Sequence, residues 1–255
     1  MKIATWNVNS MKVRLPHVLE WLAANSPDVL VLQEIKQVTE VFPVADLSAV
    51  GYASLANGQK TYNGVAVISR TQPADPVTGF PGFDDPQRRV LATTVDDIRV
   101  INLYVPNGQS VGSEKYVYKL GWLGALHGFL ADELSRHEKL VVLGDFNIAP
   151  ADEDVYDAEK WGSGILCSPK ERAALKELIA LGLTDVFRKF EQPEKCFSWW
   201  DYRAAGFRRN AGLRIDLILA SDTMARSCSA SYVDKEPRAW ERPSDHAPVV
   251  AEFDI

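Results

Sequence analysis

The sequence predicts an α/β fold with two packed β-sheets and helices outside them. Three observations support this. Short apolar runs rich in β-branched residues are spread over the whole chain and stop at polar residues. Segments of helical period fall between them. The runs are almost continuously apolar, which signals burial on both faces.

The first strand is Ile3-Ala4-Thr5-Trp6-Asn7. Leu15, Val18, Leu19 and Leu22 recur at helical spacing, so a helix is expected over 15–25. Val29 to Glu34, Val65 to Ile68 and Val100 to Tyr104 read as further strands. A long helix over 114–136 carries Val117, Leu120, Leu123, Leu126, Leu130 and Leu134 on one face. Leu140 to Asp145 is the next strand. Ser168-Pro169-Lys170-Glu171 reads as an N-cap, a proline at the first helical position and an acid in the first turn. That helix is expected to run to about Leu181, where Gly182 suits its end. Leu213 to Leu219 and Pro248 to Phe253 complete the strands. Residues 1–34 and 140–216 echo one another coarsely as strand, helix and acid-bearing strand, short of a repeat.

The 255 residues are 46% hydrophobic and 24% charged, and no linker or low-complexity stretch divides them, so a single domain over 1–255 is expected. No apolar run approaches the roughly 20 residues of a membrane span, and the N-terminus lacks a signal-peptide pattern. Cys167, Cys196 and Cys228 show no CxxC spacing, which fits reduced thiols in a cytoplasmic protein rather than a zinc site. The net charge of −6 argues mildly against DNA binding, since a protein that grips many phosphates usually carries positive charge. Acids gathered around a metal reconcile that charge with locally basic loops.

Chemistry is concentrated where strands end. Asn7 and Asn9 follow the first strand, Glu34 the second and Tyr104 the third. Asp145 and Asn147 follow the fourth, and Asp245 and His246 precede the last. Each alone reads as a turn residue. Asp216 does not, because a carboxylate inside an apolar run needs a partner or a metal. Together they form a set of hard oxygen ligands plus one imidazole, which selects Mg²⁺, Mn²⁺ or Ca²⁺ over zinc and, with Mg²⁺, suits phosphoryl chemistry. His17, His127 and His137 read as surface or packing residues.

Six motifs occur in register: Thr5-Trp6-Asn7-Val8-Asn9, Leu32-Gln33-Glu34-Ile35-Lys36, Asn102-Leu103-Tyr104-Val105-Pro106, Gly144-Asp145-Phe146-Asn147-Ile148, Leu213-Arg214-Ile215-Asp216 and Ser244-Asp245-His246-Ala247-Pro248. Together they resemble the exonuclease III family of apurinic/apyrimidinic endonucleases, within the endonuclease/exonuclease/phosphatase superfamily. The resemblance runs from residue 1 to about 253. It implies a four-layered α/β sandwich, two packed mixed β-sheets flanked by helices, with the site at one edge.

By that resemblance, Glu34 is the principal metal ligand, with Asn7, Asp145, Asn147, Asp245 and His246 in the same metal-binding group. Asp145 matches the acid that aligns or activates the attacking water, and Asn147 the transition-state stabiliser. Tyr104 matches the phosphate-binding or leaving-group tyrosine. Asp216 orients the catalytic His246. The cofactor implied is Mg²⁺, with Mn²⁺ as substitute.

The resemblance also implies DNA-facing segments. Gln59-Lys60-Thr61-Tyr62-Asn63-Gly64 and Gln87-Arg88-Arg89 match loops that approach DNA phosphates. Asn9, Arg14, Lys60, Tyr62, Asn63, Arg88, Trp199 and Leu213 are thereby expected to bind DNA. Trp199, Leu213 and Ile215 fall at an apolar pocket beside the scissile phosphate, or in the core.

The expected substrate is double-stranded DNA with 3′ ends or abasic sites, acted on by a cytoplasmic monomer with no membrane role. Leu166 and Cys167 depart from abasic endonucleases, which often have a small residue and then an aromatic there. A bulky wall favours 3′-exonuclease and 3′-phosphatase work over incision at an extrahelical abasic sugar. The alternatives are a Mg²⁺-dependent phosphatase or phosphodiesterase acting on a non-DNA substrate, and a non-catalytic DNA-binding protein on this fold.

Overall fold

Two six-stranded sheets are each organised around one parallel pair of strands. The computed structural model describes residues 1–255. The first sheet runs, edge to edge, Cys228–Val233, Val249–Phe253, Lys2–Asn7, Val29–Gln33, Val65–Ser69 and Ala53–Asn57. Its parallel pair, Lys2–Asn7 with Val29–Gln33, is joined by the helix Met11–Asn25. The second sheet runs Ala74–Val77, Val90–Val95, Ile98–Tyr104, Leu140–Asp145, Asp216–Ser221 and Leu183–Asp185. Its parallel pair, Ile98–Tyr104 with Leu140–Asp145, is joined by the helix Glu114–Arg136. Parallel neighbours require such crossovers, whereas the remaining antiparallel pairs do not.

Alternation along each strand builds the layers. Val141 and Leu143 point between the sheets with Ile3, Val31, Val67 and Ile218. Val142 points the other way, to Trp122, Leu126 and Leu178 of the helices outside the second sheet. Leu30, Leu32 and Ile68 do the same for Val18, Trp21 and Leu22 of the helix outside the first. The order helix, sheet, sheet, helix is the four-layered sandwich expected.

One polar network interrupts the apolar layer between the sheets. Asn102 donates through Nδ2 to the Leu32 and Ala66 carbonyls of the opposite sheet, at 2.9 and 2.8 Å. Gln33 Nε2 donates to Asn102 Oδ1 at 2.7 Å and to Thr5 Oγ1 at 2.9 Å. Thr5, Gln33 and Asn102 are fully buried. They lie two, one and two residues before Asn7, Glu34 and Tyr104, so they pin the sheets just beneath the strand ends that carry the polar set.

Three expectations change. The first helix begins at Met11 rather than 15, because the Val13 and Arg14 amides close onto the Ser10 carbonyl. The run Leu213–Leu219 is two strands: Gly212–Leu213 pairs with Trp199–Trp200, and Asp216–Ser221 joins the second sheet. The break arises because the Ile215 and Asp216 amides donate to Ser198 Oγ and the Arg214 amide to the Asp154 carbonyl. The counterpart of 1–34 is 98–145, not 140–216, since Leu140–Asp145 and Asp216–Ser221 are antiparallel neighbours.

Candidate active site

The C-terminal ends of the two parallel pairs meet at one edge. Asn7 ends one strand, and its Nδ2 donates to Glu34 Oε1 and to Asp145 Oδ2, both at 2.9 Å. One amide thus brings together a carboxylate from each sheet. Its Oδ1 accepts the Asn9 amide at 3.0 Å. Glu34, at φ 52°, and Asn147, at φ 49°, hold left-handed backbone immediately past or near their strand ends. Such conformations persist where surrounding bonds over-determine them. Here the Asn147 amide donates to Asp145 Oδ1 at 2.9 Å, and the neighbouring Ile35 amide to the Gly64 carbonyl at 3.1 Å.

The Ser244-Asp245-His246 turn closes over that edge. Ser244 Oγ donates to the Asn7 carbonyl at 2.6 Å, and the Trp6 indole N–H to the His246 carbonyl at 3.1 Å. Asp245 accepts from Asn9 Nδ2 at 2.9 Å and from the Trp199 indole at 3.0 Å. His246 Nδ1 faces Asp216 Oδ2 at 2.9 Å, and its Nε2 faces Asp145 Oδ2 at 3.7 Å. Asp216 is oriented in turn by Ser198 Oγ at 2.6 Å. This is the partner that a carboxylate in an apolar strand requires.

The electrostatics follow from burial and these neighbours. Burial pushes the Asp145 carboxyl up, and Asp216 and Glu34 add to that against the pull of His246 and Asn7. Burial alone would lower His246, but Asp216 and then Asp145 outweigh it and hold the imidazole protonated well above its usual range. Burial, then the charges of Glu34 and Asp145, push the Tyr104 phenol far up, so it stays a proton donor. Lys36 lies 2.8 Å from Glu34 Oε2 and also donates to Asn9 Oδ1.

Glu34, Tyr104, Asp145, Asn147, Asp245 and His246 line one cavity of about 600 Å³. Its other wall is aromatic and apolar, with Trp199, Ile215, Trp161 and Leu166, and its rim carries Lys160, Arg203 and Arg209. The donors at this edge are carboxylate and amide oxygens with no sulfur among them, a set that fits Mg²⁺ or Mn²⁺. Asp145, Asp216 and His246 also cluster within 4.8 Å. Asp216 and His246 there bond to each other, so the carboxylates free to face a cation are those of Glu34, Asp145 and Asp245.

The eight residues expected to contact DNA separate into three groups. Trp199 lines the cavity. Lys60, Tyr62 and Arg88 are exposed on the loops bordering a second groove of about 780 Å³, which runs past Tyr104 and Asn107 to Gln109 and Lys115. The other four are committed to bonds or packing within the protein, and of them Asn63 also lines that second groove. Asn63 braces its loop through Gln59 and Gln87 at 3.0 and 3.2 Å. Leu213 is fully buried beneath the cavity with Val155 and Ile215. Asn9 bridges Lys36 and Asp245. Arg14 donates to the Asn9 carbonyl at 2.6 Å and the Pro243 carbonyl at 2.9 Å, so it ties loops together.

Two neighbours of these residues, Ser198 and Asn107, left no pattern in the sequence. Ser198 Oγ donates to Asp216, and Asn107 lines the cavity and donates to Asn147 Oδ1. Arg89, in the segment Gln87-Arg88-Arg89, stacks over the Tyr104 ring at 4.6 Å. Lys36 was within reach, since it follows Glu34 by two residues.

A four-layered sandwich with acids, amides and one His–Asp pair at a single edge defines a metal-assisted phosphoesterase type of site. The family model described as the endonuclease/exonuclease/phosphatase family matches residues 4–246, and the chain belongs to that family. An exodeoxyribonuclease III of Haemophilus influenzae is 38% identical over 267 residues, covering 99% of this chain and 100% of the relative. A Neisseria protein described as the 3′ phosphatase NExo, bound to product DNA hairpin, is 54% identical, with a TM-score of 0.98 and 100% of both chains covered. An AP endonuclease from Archaeoglobus fulgidus is 40% identical, with a TM-score of 0.96 and full coverage of both chains. No helix of this chain is long and apolar enough to cross a membrane.

Proposed function

We propose that this protein is a DNA-repair phosphodiesterase that removes nucleotides or blocking groups from DNA 3′ ends by metal-assisted hydrolysis. The observation that carries the reading is the union of Glu34 and Asp145 through Asn7, beside His246 held by Asp216, in one cavity. Likeness to the Neisseria 3′ phosphatase supports the 3′ end as substrate.

Glu34, with Asp145 and Asp245 beside it, would hold a Mg²⁺ or Mn²⁺ ion, which would supply charge neutralisation at the scissile phosphate. Protonated His246 donates from Nε2 to a non-bridging phosphate oxygen, since Nδ1 is committed to Asp216. In this role the imidazole is a hydrogen-bond donor rather than a metal ligand. Asn147 has one amide N–H on Val105 O at 3.0 Å and its Oδ1 on Asn107 at 3.1 Å, which leaves its other N–H for the phosphate. Asp145, buried and raised, accepts a proton from the attacking water. Tyr104 remains protonated and donates to the leaving or phosphate oxygen. Trp199 and Ile215 pack the terminal sugar and exclude water.

Leu166 supports the preference among DNA ends. It is buried, lines the cavity wall and holds φ 71°, a conformation costly for a branched side chain. A wall fixed there narrows the space that an extrahelical abasic sugar needs. The test is a panel of recessed 3′-hydroxyl, 3′-phosphate and internal abasic duplexes with Mg²⁺, then with EDTA. The expected result is removal from both 3′ ends, weaker abasic incision, and loss of all activity in EDTA with rescue by Mg²⁺ or Mn²⁺. Intact 3′ ends in Mg²⁺ would overturn the reading, and abasic incision equal to 3′-phosphate removal would overturn the preference.

A further inference from the structure

A buried ion pair outside the catalytic set joins two walls of the cavity. Lys119, on the helix Glu114–Arg136, and Glu171, on the helix Pro169–Ala180, are both 0% exposed, with Nζ and Oε1 2.5 Å apart. The ammonium also donates to the Asn147 carbonyl at 2.7 Å and the Asn107 carbonyl at 3.2 Å. Its three donors are therefore all used.

The carboxylate is equally committed. Oε1 accepts the Leu166 amide at 3.1 Å, and Oε2 accepts the Ser168 amide and hydroxyl at 3.1 and 2.6 Å. The Lys119 stem packs so closely on Gly108 that a Cβ there would lie 3.1 Å from Lys119 Cδ and 2.9 Å from Ile165 Cδ1. Gly108 also holds φ 90°, which glycine alone adopts freely.

Stability alone does not account for this arrangement. A buried ion pair is weak evidence for stability, because desolvation offsets its attraction. What the pair does have is direction. Its positive end meets only carbonyls of the Asn107 and Asn147 segment, and its negative end meets only donors of the Leu166 segment. These two segments present the phosphate-facing amide and the pocket wall, and both carry strained left-handed residues, Asn147 and Leu166.

We propose that Lys119 and Glu171 are positioning residues that lock the Asn147 loop to the Leu166 wall, so that one oriented ion pair sets both turnover and the choice among DNA ends. The proposal rests on the reading of the cavity as a DNA 3′-end site. Neither side chain lines the cavity, so both act through the loops they hold.

The test compares Glu171→Gln, Ser168→Ala and the swap Lys119→Glu with Glu171→Lys in the full chain, well below their melting temperatures. Glu171→Gln is expected to lower kcat on a 3′-phosphate duplex on the order of tenfold or more, with a smaller change in KM. It should also alter the ratio of abasic incision to 3′-end removal. Amide exchange should rise together over 146–149 and 164–168. Ser168→Ala should move every readout the same way by less.

A folded Glu171→Gln with unchanged kcat and unchanged ratio overturns the proposal, as does faster exchange in only one of the two segments. A swap that restores wild-type rates overturns it too, because a pair without direction would tolerate exchange of its charges. If Glu171→Gln does not fold, Ser168→Ala carries the test through the exchange of the two segments. A wild type that leaves all 3′ ends intact removes the functional reading instead, and exchange still decides whether the pair couples the loops.

Discussion

The crossover units around Lys2–Asn7 and Val29–Gln33, and around Ile98–Tyr104 and Leu140–Asp145, have the same topology and carry unlike acids. In the first unit, Glu34 is partly exposed and faces Lys36 at 2.8 Å. In the second, Asp145 is buried and meets amides and His246 rather than a lysine or arginine. Glu34 keeps the Lys36 ammonium beside it and lines the cavity. Burial outweighs the His246 imidazolium at 3.7 Å and pushes the Asp145 carboxyl toward proton affinity, the property a base for water requires. The same backbone plan thus gives two chemical environments through what surrounds each strand end.

The largest expected effect separates these environments. Asp145→Asn and His246→Ala should each lower kcat on a 3′-phosphate end by about 10²-fold or more. Glu34→Gln should also abolish turnover, yet stability in EDTA should distinguish the acids. The folded state binds the Asp145 proton more tightly than the unfolded chain does. That carboxyl therefore removes stability as pH rises from the ordinary carboxylate range through its raised folded value. His246 is raised as well, and it contributes stability that is present below the ordinary imidazole range and lost as pH rises through its folded value. At pH 8, Asp145→Asn should melt at or above the wild type, whereas Glu34→Gln should gain nothing, because it strips Lys36 of its partner. Melting curves at pH 5 and 8 decide this, and a marked drop in the Asp145→Asn melting temperature at pH 8 would contradict the contrast.

The two units act as one site only if the sheets keep their registration. Asn102→Leu conserves approximate volume but removes a donor from two buried carbonyls and one of the two acceptors of Gln33 Nε2. It should cost about 2–4 kcal/mol in urea denaturation. A loss below about 1 kcal/mol would mean that apolar packing alone aligns the units.

The strand ends were legible because a polar cluster and sheet geometry coincide there. Apolar runs announce their own termini, and Asn7, Glu34, Tyr104, Asp145 and His246 all sit at one. The expected N-cap at Ser168 with Pro169 at the first helical position is also observed, since capping is local chemistry. Other elements were not legible. Ala53–Asn57 has few β-branched residues, and Cys228–Val233 lies at a sheet edge with mixed exposure, so neither carries a clear periodic signal. Asn102 read as part of a motif, not as a bridge between sheets, because its acceptors lie 36 and 70 residues away. The mistaken echo of 140–216 had the same source: element order repeats there, but strand direction is a tertiary property.

The smallest effect concerns the crossover helices. Each carries a cation that binds a loop carbonyl just past the strand end of its unit: Arg14 on Asn9 in the first, Lys119 on Asn107 in the second. Lys119 is fully buried with a carboxylate, whereas Arg14 is half-buried and bonds only carbonyls and the Tyr202 hydroxyl, at 3.2 Å. Arg14→Met should therefore cost only about 1 kcal/mol of stability. It should leave the salt dependence of DNA binding unchanged, because a guanidinium committed to carbonyls releases no counterions from phosphate. Arg88→Ala, on an exposed loop, should instead reduce the slope of log K against log salt by about 1. A slope that falls in Arg14→Met would assign this arginine to DNA and end its parallel with Lys119. An unchanged slope with a lower melting temperature makes the two helix cations versions of one device, differing in how deeply each is buried.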